Sequence, residues 1–507
     1  MRVLLRNGVM YANGPQPIRS MLTVDNRIAW IGNEQPDADV VIDLEGRIVV
    51  PGFVDAHVHS LAIGLQAVDC QVTDPTELVA RFGPSGDVVI GHGWDDTRWP
   101  NSWFDLAALD ERVGSTRVYA SRIDVHSAFV SSALLREVPS HLDGWSETGI
   151  LTRAAHAYAR ERAFASLTDE QRRTAHRRTL ELAASRGVVC VQEMSGPAIA
   201  SRADATALLD VVSEHTPHVA LWWGELNGFE TANELGAYGI GGDLVIDGSV
   251  GSRTAAFCEP YADADHRGVL YQDAAALQEH LETALDRGIP SAFHAIGDAA
   301  VAQVLDVYGA IADRSGVERI RSARHRIEHC ELIRDEDLVR MADFGLIASV
   351  QPLFDAAWGG EDGMYAQRLG RSRASRMNRF ATFHERGIQV AAGTDAPVTP
   401  LDPWASVHAM QHHRTVTERV SQRAAIAAHT RSGWRAIGVD DAGVLAAGWD
   451  ASYAIWEADV SGMPQPERTG ARWSTDPRAG VPHLPDMRNA HCVRTVRSGT
   501  VVFDALG

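Results

Sequence analysis

Along the middle of the chain one phrase recurs: an amphipathic stretch, a charged or polar residue, a glycine, and an apolar run that ends in polar residues. It reads SRGVVCVQEM at 185–194, DRGIPSAFHAIGD at 286–298, DFGLIASVQP at 343–352 and ERGIQVAAGTDAP at 385–397. A glycine there suits the left-handed position that closes a helix, and an unalternating apolar run after it reads as a strand buried on both faces. Four more runs, VVPGFVDAHVHS (49–60), HVALWWGEL (218–226), GDLVIDGS (242–249) and RHRIEHCEL (324–332), complete eight candidate strands. Eight parallel strands alternating with helices predict a (β/α)8 TIM-type barrel, an α/β fold whose active site gathers at the C-terminal strand ends. A doubly wound open sheet competes, but no G-x-G-x-x-G loop follows the first strand.

The two ends of the chain carry a different pattern. Residues 1–50 alternate apolar and polar positions between turn signals (RNGVMYANG, TVDNRIAWIG), and so do 443–507 (GVLAAGWDASYAIWEAD, CVRTVRSGTVVFDA). Short alternating strands at both termini predict one small composite β-sandwich, 1–50 plus 438–507, around a barrel over 51–437. That barrel segment exceeds the roughly 250 residues of a plain one. Most of the excess falls in an insertion after the first strand, about 64–180, rich in Trp and Asp (GHGWDDTRWPNSWFDLAALD, 91–110) and expected to form a subdomain over the barrel mouth.

The strand ends hold the candidate chemistry. In DAHVHS the strand alternation puts His57 and His59 on one face, about 7 Å apart at Cα, with Asp55 below them. His294 closes the run FHAIGD, His329 closes RIEHC and Asp395 closes AGTDAP. Each has a local alternative: His294 as part of a helix cap, His329 as a partner of Glu328, Asp395 as an N-cap. Together, four imidazoles and a carboxylate on one rim suit Zn²⁺ or a similar metal with an open position for water.

Composition narrows the partners. With 47 basic against 66 acidic residues the formal charge is −19, which disfavours nucleic acid and anionic membranes. The start of the chain shows no leader pattern, and no apolar run reaches the roughly 18 residues of a membrane helix, so a cytoplasmic protein is expected. Five scattered cysteines, Cys70, Cys190, Cys258, Cys330 and Cys492, fit reduced thiols. The expected partner is a small-molecule substrate; a homodimer is left open. Every basic residue is Arg, and there is no Lys.

The motifs PGFVDAHVH, HAIGD, IEHC and GTDAPV, in that order between terminal β pieces, resemble the amidohydrolase superfamily. GHGWDD, DVHSAFVSSALL and DGSVGSRTAAF are similar to its amidohydrolase-3 branch, which includes N-substituted formamide deformylase. The resemblance implies a metal-dependent hydrolase of C–N bonds other than peptide bonds, in which His57, His59, His294, His329 and Asp395 correspond to the metal and catalytic set. Many binuclear relatives bridge two metals with a carboxylated lysine, which a chain without lysine cannot do. Glu193, at the end of VVCVQEM, is the first acid candidate to replace it and Asp247 the second, although Asp247 with Gly248 is also a turn pair; a single ion is favoured.

In the expected mechanism the metal activates water and polarises the acyl oxygen. Asp395 acts as general base, and His329 turns from ligand to substrate to steady the developing oxyanion. Trp94, Asp95, His126 and Arg253 are the candidate substrate contacts; equally, Trp94 suits the core of the insertion and Arg253 an ion pair with a carboxylate such as Asp247. The competing functions are a deaminase or a ring-opening hydrolase of cyclic amidines or imides on the same metal, and a non-catalytic relative that keeps the metal for structure.

Overall fold

The computed structural model describes residues 1–12, 18–65, 67–99, 104–459 and 482–506. Part of the expected composite domain, 460–481, lies outside the described residues, as do 66 and 100–103 within the insertion. The fold is mixed α/β with two four-stranded parallel sheets. In the first, β1 (Phe53–Val58) pairs with β2 (Val188–Ser195), β2 with β3 (His218–Trp223), and β3 with β4 (Gly239–Ile240). In the second, β5 (Ala292–Ala295), β6 (Arg326–His329), β7 (Ile347–Val350) and β8 (Val390–Ala392) pair in chain order. Isolated parallel bridges join the facing edges, Ile240 to Ser291 on one side and Val58 to Ala396 on the other.

The recurring glycines do what their position requires. Gly187, Gly288, Gly345 and Gly387 have φ of 73°, 67°, 67° and 74°, a region that costs an L side chain about 1 kcal/mol or more. Gly288 closes the helix Ala274–Arg287 and Gly345 the helix Asp335–Phe344, each turning the chain straight into its strand. Every residue of β1, β2, β5, β6, β7 and β8 is buried, as expected of parallel strands covered on both faces. Phe53, Phe293 and Ile327 are fully buried in one large apolar core with the surrounding helices, at about 1.5–3 kcal/mol per side chain.

One charged side chain crosses this interior. Arg326, fully buried on β6, donates to Glu328 Oε1 (2.6 Å) and Oε2 (2.7 Å), to the Ala56 carbonyl (2.7 Å), to Ser349 Oγ (2.8 Å) and to Gln192 Oε1. It therefore ties β6 and β7 to β1 and β2, across both sheets.

The ends of the chain meet. One sheet joins Val9–Met10 and Ile48–Pro51 to Tyr453–Glu457, His491–Arg497 and Thr500–Asp504. A second sheet of N-terminal strands faces the same core, which contains Leu5, Met21, Ile28, Val49, Tyr453 and Ile455. Five strands between Val68 and Thr152 form a separate sheet with the order Ile150–Thr152, Ser127–Val130, Arg117–Arg122, Val88–Trp94, Val68–Asp69. Among the described residues no helix is long and apolar enough to cross a membrane.

Candidate metal centre

Four histidines and two aspartates converge where the parallel strands end. His57 and His59 leave β1, His294 lies on β5 and His329 ends β6; Asp395 follows β8, and Asp243 follows the two-residue strand β4. Ring centroids are 5.3 Å apart for His57 and His59, 4.9 Å for His57 and His329, and 4.4 Å for His294 and His329. Nε2 of His57 lies 3.4 Å from Asp243 Oδ1 and 3.6 Å from Asp395 Oδ1. Nε2 of His59 lies 3.3 Å from Asp243 Oδ2 and 2.9 Å from Asp395 Oδ1, and Nε2 of His329 3.8 Å from Asp243 Oδ1.

The far nitrogens explain this aim. His57 Nδ1 faces Glu328 Oε2 at 2.9 Å, His59 Nδ1 the Met194 carbonyl at 3.3 Å, and His329 Nδ1 Gln351 Oε1 at 2.8 Å. Each partner is an acceptor, so Nδ1 carries the hydrogen and Nε2 presents a lone pair to the centre, as an orienting outer layer does in metal sites. Asp55 accepts from the backbone N–H of Thr394 (2.9 Å) and of His57 (3.3 Å) and from Thr394 Oγ1 (2.6 Å), tying the end of β8 to β1 beside Asp395. His329, Cys330 and Asp395 have φ of 68°, 47° and 53°, strained backbone of the kind that packed functional sites maintain.

The donor set fits a divalent cation. Among the described residues, His57 Nε2, His329 Nε2, Asp243 Oδ1 and Asp395 Oδ1 are all buried without a hydrogen-bond partner. An orphaned buried polar atom costs about 1–3 kcal/mol, and four on one spot have a common explanation in a shared ion. His57, His59 and Asp395 bring ligand atoms within 4.8 Å of one another, and so do His57, Asp243 and His329. Electrostatics point the same way. Burial opposes charge on His57, yet the Asp243 and Asp395 carboxylates hold it well above its ordinary value; the pair that stabilises a proton there would stabilise a dication. Burial likewise pushes Glu328 up, but the Arg326 guanidinium and His57 outweigh it and hold the acid at about 2.

A cavity of about 370 Å³ opens onto this centre, its surface mostly apolar, with Val250, Phe354, Trp358 and Val398 among its walls. His126 lines it 5.2 Å from the His294 ring; burial, then the charge of His294, push its pKa down to about 4, so the ring is neutral.

The amidohydrolase family model matches residues 40–503. This chain belongs to the amidohydrolase family. Membership makes it a hydrolase. It is 27% identical to Protein LONG AFTER FAR-RED 3 of Arabidopsis thaliana over 89% of this chain and 86% of that protein. It is 24% identical to N-substituted formamide deformylase of Arthrobacter pascens over 77% of this chain and 80% of that one. An uncharacterized metal-dependent hydrolase from Pyrococcus furiosus superposes with a TM-score of 0.69 at 27% identity, covering 90% of this chain and 98% of the other.

Within this family member the acids sort by their contacts. Glu193 accepts from the Ser60 backbone N–H at 2.8 Å, at the start of the helix Ser60–Gly64, and stands outside both three-residue groups. Asp247 accepts from Ala256 N (2.8 Å), Ile296 N (2.9 Å) and Gly297 N (2.8 Å), and is 3.7 Å from His294 Nδ1: it pins two loops and faces a histidine from behind. The second acid among the histidines, beside Asp395, is Asp243. Its signal, an aspartate after the glycine pair of GIGGD, was hidden because 242–249 reads as a strand, whereas the strand is Gly239–Ile240 and Asp243 lies past its end.

The four candidate substrate contacts separate too. His126 lines the cavity; Trp94, Asp95 and Arg253 do not. Trp94 is 2% exposed, donates to the Ala120 carbonyl (2.8 Å) and packs on Trp99 and Phe104, inside the core of the insertion. Asp95 accepts from Arg122 Nη2 at 2.8 Å and from Thr97 Oγ1 at 2.6 Å. Arg253 pairs with Asp263 at 2.8 Å, not with Asp247.

Proposed function

We propose that the chain is a metal-dependent amidohydrolase that cleaves the C–N bond of an amide or formamide. The observation that carries the reading is Asp395: an acid with a partnerless buried Oδ1, set among His57 and His59 at the wall of a largely apolar cavity. The two parallel sheets, bridged at both edges, would act as one eight-stranded barrel, with the terminal strands (1–50 and 438–507) as its composite β domain. His57, His59, Asp243, His294, His329 and Asp395 would hold the ion, most plainly zinc given nitrogen and oxygen donors. When bound, the ion supplies Lewis-acid polarisation and makes water a stronger acid.

What supports one ion is that both three-residue groups draw on His57, whose Nδ1 is engaged by Glu328, leaving one nitrogen to give. The protein's own groups then divide the work. Asp395 takes the proton of the attacking water and passes it to the leaving nitrogen. His329, neutral and with Nδ1–H on Gln351, offers Nε2 as a ligand; steadying an oxyanion would need a hydrogen on that atom, which burial and the neighbouring His294 charge oppose. The apolar walls keep bulk water from the reacting carbon.

The test is a screen of purified, zinc-loaded protein against N-benzylformamide, N-acetylphenylalanine and a cyclic amidine, with amine, amino acid and ammonia measured separately. Release of benzylamine or phenylalanine is expected. Ammonia alone would replace this reading with a deaminase.

A further inference from the structure

Of the carboxylates lining the cavity, all but one are compensated. Asp124 is held by Arg122 (2.8 Å), Ser249 (2.6 Å) and Ser252 (2.9 Å) and Asp143 by Arg153 (2.6 Å), while Asp243 and Asp395 belong to the metal centre, where an ion would compensate them. The exception is Glu331, two residues beyond His329. It is 3% exposed and, among the described residues, has no guanidinium partner and no hydrogen-bond partner for its buried Oε2. Burial pushes this acid up to about 8, a rise that the Tyr365 hydroxyl beside it partly offsets.

Aromatic rings connect this acid to the metal centre. Phe354 stacks parallel to His329 at 6.1 Å, Trp358 meets Phe354 edge-on at 4.9 Å, and Tyr365 meets Trp358 at 6.5 Å, beside Glu331. Phe354, Trp358, Tyr365 and Glu331 all line the cavity. A row of rings ending at a buried acid with no cation beside it is the chemistry that receives an ammonium on an apolar body: the rings attract the cation by their quadrupoles, and the acid, giving up its proton as the ammonium arrives, accepts its N–H. An acid kept there at a cost to folding is what a binding function requires and a structural one does not.

We propose that Glu331 is a specificity-determining residue that receives a protonated amine carried by the substrate on an aromatic or apolar body, with Phe354, Trp358 and Tyr365 as the wall beside it. The substrate class is therefore a cationic amide or formamide, which rests on the hydrolase reading for its bond but not for its binding.

The experiment uses benzylamine and its uncharged isostere ethylbenzene, titrated calorimetrically into zinc-loaded wild type, Glu331→Gln and Glu331→Leu, with melting temperatures measured alongside. Benzylamine affinity is expected to fall at least 10-fold in both variants, ethylbenzene affinity to stay within about 2-fold, and Glu331→Leu to melt no lower than wild type, since it removes an uncompensated buried acid. Equal benzylamine binding in all three proteins would overturn the proposal, by placing the amine elsewhere, the metal included. Loss of both probes with a lowered melting temperature would also overturn it, by making Glu331 a support of the wall. Because binding is read without turnover, a protein that selects benzylamine through Glu331 yet hydrolyses no amide refutes the C–N reading alone.

Discussion

His57 and Glu328 stand 2.9 Å apart, Nδ1 to Oε2, with the carboxylate gripped from its other side by Arg326. All three are fully buried, so the orientation of a candidate metal ligand on β1 depends on an ion pair whose two members both sit on β6.

Breaking that ion pair at one end should be costly. Arg326→Met leaves Glu328 buried without its cation and is expected to destabilise by about 3–5 kcal/mol, while Arg326→Met with Glu328→Gln recovers part of the loss. Urea unfolding of the three proteins checks this; a double variant weaker than the single one would contradict it.

Glu328→Gln keeps the shape but replaces the charged acceptor behind His57. Zinc affinity should fall by roughly 10- to 100-fold, the usual effect of an altered outer layer. Competition with a chelator of known affinity measures it.

Metal content should be about one equivalent per chain, by the sharing of His57 between the two ligand groups. Elemental analysis should find it largely lost in His57→Ala with His59→Ala and reduced in Asp243→Asn, but unchanged in Glu193→Gln, whose carboxylate serves the Ser60 N–H. Two equivalents in wild type, falling to one on substitution of Glu193, would reverse the assignment.

Asp395→Asn should retain most of the metal through the histidines and Asp243 while turnover drops by on the order of 10² to 10⁴, the effect of a lost general base. Near wild-type turnover would remove Asp395 from proton transfer.

Stability should fall as the solution is acidified below neutral pH. Burial pushes His156 and His325 down to about 3 and His429 to about 4, from an ordinary value near 6.5. Between those values and 6.5 the unfolded chain takes up protons that the folded chain refuses, so stability is complete above about 6.5 and declines steadily towards pH 4, by up to about 3 kcal/mol per histidine. Melting temperatures from pH 7.5 to 4.5 should show the slope. His429→Gln, at a ring bonded to Ser406 and the Ala425 carbonyl, should lower the pH 7.5 value and flatten the decline.

What the sequence determined by itself is what repeats locally. A glycine before each apolar run implies a left-handed helix stop, and Gly187, Gly288, Gly345 and Gly387 all adopt it. Two histidines two residues apart on a strand must share a face, and His57 and His59 do. The order of the motifs sufficed for the family. What only the tertiary structure decided depends on residues far apart in the chain. Asp243 joins the histidines because β4 is two residues long and ends before it, a length set by pairing with β3 and not by any local preference. Glu193 turns to a helix start whose residues lie more than a hundred positions earlier. Trp94 goes into the insertion's core and Arg253 to Asp263 because burial and charge pairing are settled by which surfaces meet. Glu331 is an ordinary acid in RHRIEHCEL; only the closing of rings from 354–365 around it makes its lack of a partner visible. Periodicity is a property of neighbours along the chain, whereas compensation of a buried charge is a property of neighbours in space.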